Sequence, residues 1–95
     1  MELQEITKVD QIEVTDLNTI QIRKATIIIR DGVEISRSFH RHVISPGEDY
    51  SNEDPKVQLI ASTLWTQEVI DNYQDFMLSK KLEREQQVQI GQINP

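Results

Sequence analysis

Cysteine is absent from these 95 residues, so disulfide staples and thiolate metal sites are excluded, and a reducing compartment fits without being required. Glycine and proline occur three times each, too few for a glycine-rich phosphate loop. Aromatic residues make up only 5%. There is no long apolar run either: none exceeds three residues, Ile27-Ile28-Ile29 being one such run, and nothing of that length spans a membrane. The opening MELQEITK has neither the basic start nor the apolar stretch of a secretory signal. Basic residues are outnumbered 10 to 16, for a net charge of -6. Phosphate-backbone binding relies on clustered Lys and Arg, so a nucleic-acid partner is not expected.

What remains is one small soluble domain with a modest core. It is organised around Thr19 to Ser45, TIQIRKATIIIRDGVEISRSFHRHVIS. Two runs rich in β-branched residues flank Asp31-Gly32, the strongest short-range signal for a two-residue hairpin. The pair predicts antiparallel strands over about 20–30 and 33–45. With Asp31-Gly32 as the turn, an unbroken register sets Ile28 opposite Ile35, Lys24 opposite Phe39, Ile22 opposite Arg41 and Ile20 opposite Val43. One face then carries Ile20, Ile22, Ile28, Val33, Ile35, Phe39 and Val43 and is expected to meet the core. The other carries Ala25, Ile27, Ile29, His40, His42 and Ile44. Ile27 and Ile29 there still want cover, either from a partner subunit or through a bulge that shifts the register.

Residues 3–14 predict a first strand. Leu3, Ile6 and Val9 break strict alternation, so it is bulged or in two pieces. Thr15 to Asn18 reads as a short loop, which favours a three-stranded meander. Residues 1–22 are mainly acidic and 23–41 mainly basic. Either the charges pair across the sheet or the bases await an external acidic partner. Pro46-Gly47 suits a type II turn, and Glu48 to Asp54 is an acidic loop without the ligand spacing of a calcium loop. Asp54-Pro55 is a helix start, followed by an apolar stripe at Val57, Ile60, Ala61 and Leu64. Residues 55–84 form either two helices with a bend at Thr66, whose side chain competes for backbone groups, or one long kinked helix. From Lys80 the chain turns polar. Residues 88–95 predict a flexible tail that frays alone, in which Val88, Ile90 and Ile93 alternate loosely enough to add to a partner's strand edge.

His40 and His42 sit two apart on a strand, but an opposing Arg23 and a distant Glu34 speak against a metal site. A pH-sensitive contact or plain surface is expected. Ser36, Ser38, His40 and Glu34 share a face without the hydrogen-bond reach or oxyanion loop of a catalytic set. No catalytic residue, cofactor, metal or small-molecule substrate is expected. Trp65, Tyr73 and Phe76 lie at helical spacing and read as core rather than as a ligand cage.

Ser38 to Asp49 (SFHRHVISPGED), Asp54 to Gln58 (DPKVQ) and Leu64 to Val69 (LWTQEV) resemble a group of small, mostly uncharacterised proteins encoded among the tail and tail-fibre genes of tailed bacteriophages. The resemblance covers roughly residues 20–76. A Pro often stands in those sequences where this chain has Gln67. The resemblance implies a virion tail or baseplate component, or a tail-assembly accessory protein, and brings no catalytic residues.

The resulting expectation is an α+β fold: a three-stranded antiparallel meander with one or two C-terminal helices on one face, residues 1–87 forming the domain. The expected role is that of a non-enzymatic, homo-oligomeric structural protein of the tail, baseplate or tail fibre. It is made in the host cytoplasm and carried in the virion, and its partners are other tail proteins. Candidate interface residues are Ile27, Ile29, His40, His42, Trp65, Val88, Ile90 and Ile93. Alternatives are an assembly chaperone absent from the virion and an acidic DNA-mimic inhibitor of a nucleic-acid enzyme.

Overall fold

In a computed structural model the backbone is described for residues 2–93 and side chains for residues 2–85. Three antiparallel strands, β1 (Leu3–Val14), β2 (Ile20–Arg30) and β3 (Val33–Ile44), form one sheet in the order β1-β2-β3. Two helices follow, α1 (Pro55–Leu64) and α2 (Gln67–Ile93). The fold is the expected α+β meander.

Local chemistry sets the boundaries. Asp31 and Gly32 both take positive φ, 51° and 83°, as a primed hairpin turn requires. Gly47 at φ 95° completes the Pro46-Gly47 turn, closed by Glu48 N–H donating to Ser45 O at 3.0 Å. Asp54 caps α1 by accepting from Lys56 N–H at 2.9 Å, with Pro55 in the first turn. Thr66 caps α2 through Val69 N–H at 3.2 Å, so residues 55–84 are two helices with the break at Trp65-Thr66.

Two bulges decide which side chains share a face. In β1 the pairing slips between Val9 and Gln11. Val9 and Ile12, three residues apart, therefore both pack on the helix-covered core. In β3 it slips between the partners of Ile28 and Ile29: Ile28 pairs with Ser36 and Ile29 with Glu34. Beyond that point every residue of β3 is turned over relative to the unbroken register. Ile20 pairs with Ile44 and Ile22 with His42. Val33, Ile35, Phe39 and Val43 are exposed rather than inward. The slip keeps Arg41 off the core face, where an unpaired guanidinium would be costly, and brings in Ile44.

The core is Ile20, Ile22, Ile44, Val57, Ala61 and Trp65, and burial of each aliphatic side chain contributes about 1.5–3 kcal/mol. It occupies one end of one face. Residues 31–41, at the hairpin end, are exposed throughout. Among the described residues α2 packs on the core at its start, through Val69 and Ile70, and the Tyr73 hydroxyl lies 3.1 Å from Ser45 Oγ. Every residue from 74 to 85 is exposed. The radius of gyration is 19.9 Å, against about 12 Å for a compact chain of this length.

Candidate protein-protein interface

The helix-free face of the sheet is built from alternate residues: Ile6 and Lys8 on β1, Arg23, Ala25, Ile27 and Ile29 on β2, and Arg37, Phe39, Arg41 and Val43 on β3. Ile27 is 4% exposed although it lies outside the helix-packed cluster. Its cover comes from the sheet, where it is flanked by Ile6 and Arg37, and long charged side chains of this kind lay their stems over apolar neighbours. Ile27 is therefore not an anchor for a partner, contrary to expectation. Ile29 is half-buried on the same face.

Charge on this face is ordered by two fork-like pairs. Arg23 donates to both carboxylate oxygens of Asp10 at 2.9 and 2.8 Å, and Arg37 does so to Glu34 at 3.0 and 2.8 Å. Asp10 is the extra residue of the β1 bulge, so the bulge delivers the carboxylate to the central strand. Each hydrogen-bonded arginine holds its carboxyl partner below the ordinary value. The Arg23 guanidinium also lies 4.3 Å from the Phe39 ring centroid. The acidic first strand thus does pair with a base of the hairpin. Among the described residues, Glu5, Glu13 and Arg41 form no ion pair.

The histidines belong to the other, helix-bearing face. His42 Nε2 lies 2.8 Å from Glu53 Oε1, tying the acidic loop to the sheet. His40 is exposed, its ring centroid 6.4 Å from that of His42. No group of three His, Cys, Asp or Glu gathers among the described residues. Trp65, expected among the contact residues, is 7% exposed and belongs to the core. Its indole N–H donates to Asn18 O at 2.7 Å, and it meets Tyr50 edge-on at 5.8 Å. The side chains of Val88, Ile90 and Ile93 lie outside the described residues. The backbone is helical to Ile93, over most of the stretch expected as a flexible tail from residue 88, and residues 94 and 95 lie outside the described residues.

Sequence reasoning missed the exposed apolar side chains that the fold does place together. Within the sheet they all lie on its two edges: Leu3, Ile6 and Val14 on β1, and Val33, Ile35, Phe39 and Val43 on β3. On the helices Leu59, Phe76, Met77, Leu78 and Leu82 are exposed as well. The signal for β3 was present in its alternation, but its faces were assigned on the unbroken register, whereas the register-shifting bulge offered as the alternative is what the strand adopts. No helix among the described residues is long and apolar enough to cross a membrane. No family model, curated protein or solved structure matches the chain.

Proposed function

We propose that the chain is a non-enzymatic structural subunit of the tail, baseplate or tail-fibre region of a tailed bacteriophage, working through protein–protein contacts as a homo-oligomer that docks other tail proteins. The observation that carries the subunit part is the sheet itself. Its hairpin end bears no covering helix on either face, and its exposed apolar side chains line both edges. A monomer gains nothing from leaving those groups in water. The phage assignment rests on the resemblance of residues 20–76 to proteins encoded beside tail genes, and the location in the virion follows from it.

Mass spectrometry of purified particles tests this directly. Peptides of the chain at a fixed ratio to a known tail protein are expected, together with capture of a tail protein by the tagged chain. Absence from the particle, with no tail protein captured, overturns the assignment.

A further inference from the structure

We propose that copies of this chain associate head to tail through their sheet edges, β3 of one copy pairing in parallel with β1 of the next. The inference deepens the reading of the chain as a self-assembling subunit and is independent of where that assembly is found.

Both edge strands present free backbone hydrogen-bonding groups, and proteins usually blunt such edges with proline, lysine or a covering element. Neither β1 nor β3 contains proline, and Lys8 is their only lysine. Each edge carries one bulge, which still leaves Leu3–Val9 and Ser36–Ile44 regularly paired on the inner side. The apolar side chains of the sheet that remain exposed are confined to these same strands.

Charge selects the occupant. β1 carries Glu5, Asp10 and Glu13 against Lys8, whereas β3 carries Arg37 and Arg41 against Glu34. A two-fold β3–β3 contact brings two edges together that each carry Arg37 and Arg41 against a single acid. A two-fold β1–β1 contact likewise brings two acidic edges together. Like charges across adjacent strands are destabilising, and opposite charges are favourable. The heterologous contact brings an acidic edge to a basic one. Glu13 and Arg41, both without an ion pair among the described residues, lie on the same face, one step apart along the sheet: Glu13 is level with Gln21 and Val43, and Gln11 with Arg23 and Arg41. A rotation axis roughly along the strands preserves strand direction, so the new neighbours run parallel, and such a contact closes into a ring or propagates as a filament.

The test is a charge exchange on the full chain, read by sedimentation velocity. Glu13→Arg alone and Arg41→Glu alone are each expected to weaken association about tenfold. An equimolar mixture of the two variants is expected to recover it, because each reversed edge then meets its complement. Circular dichroism of each variant verifies that the fold is kept. An oligomer unchanged by either substitution, or variants that weaken but fail to recover on mixing, overturns the edge pairing while leaving the subunit reading intact. A chain that stays monomeric at every concentration overturns both.

Discussion

Single residues with no latitude show where the fold is constrained. Gly47 is one: its φ is 95°, and a Cβ there would lie 3.2 Å from Ile70 Cγ2. Gly32 has φ 83° but nothing within 4 Å. Gly32→Ala therefore carries only the conformational cost, about 1–3 kcal/mol. Gly47→Ala carries that plus displacement of Ile70, so its urea midpoint is expected to fall further than that of Gly32→Ala. Trp65 offers a second test. Trp65→Phe keeps most of the apolar bulk but leaves the Asn18 carbonyl without its donor, a loss of about 1–3 kcal/mol by urea unfolding. Asp10 offers a third. Its carboxyl is held below the ordinary value chiefly by the hydrogen bond from Arg23, Glu34 by that from Arg37, and Asp49 by the Ser51 N–H. A depressed carboxyl stabilises the folded state above its unfolded pKa, near 4, and that contribution is lost as pH falls through the folded value. Melting temperature is expected to drop on acidification below about pH 4, and Asp10→Asn to flatten part of that drop.

Elements were legible in the sequence wherever a local rule decides them. The Asp31-Gly32 reversal, the Asp54-Pro55 start and the Thr66 cap depend on neighbouring residues alone, and each stands where turn and cap chemistry puts it. The face of β3 was not legible, because it depends on a slip near Ile35. Only packing settles that slip, by admitting Ile44 and His42 beside Ile20 and Ile22 and turning Arg41 outward. An irregularity in β1 was visible because Leu3, Ile6 and Val9 break alternation, although the slip itself falls just after Val9; β3 alternates smoothly, so nothing in its pattern places its own. Of the expected contact residues, Ile27 is buried within the sheet and Trp65 in the helix-packed core, for related reasons. A central-strand side chain is covered by its flanking strands, and an indole beside a loop carbonyl is held inward by its N–H. The α1–α2 break also predicts a gain. The Gln67 N–H sits in the first turn of α2, where helices leave donors unpaired, and proline suits that position. Gln67→Pro loses the side-chain contact to Asp71 Oδ1 at 2.9 Å yet is expected to raise stability by about 0.4–1 kcal/mol, read as a higher melting temperature.

The whole molecule is an elongated body of 68 × 38 × 19 Å with its core at one end. The sheet runs beyond that core in one direction. α2 leaves it after Tyr73, carrying Phe76, Met77, Leu78 and Leu82 in the open. A chain of this shape buries less of its apolar surface than one that folds into a ball, and self-association is the simplest way to bury the rest. The acidic and basic edges make that association sensitive to salt, which screens exposed charges over about 10 Å at 0.1 M. The most direct measurement is the mass of the wild-type chain by sedimentation equilibrium across a concentration and salt series. The expected result is a defined multiple of the 11.1 kDa chain at micromolar concentration, loosening as salt is raised. A single 11.1 kDa species at every concentration and salt would contradict the reading of this fold as a subunit.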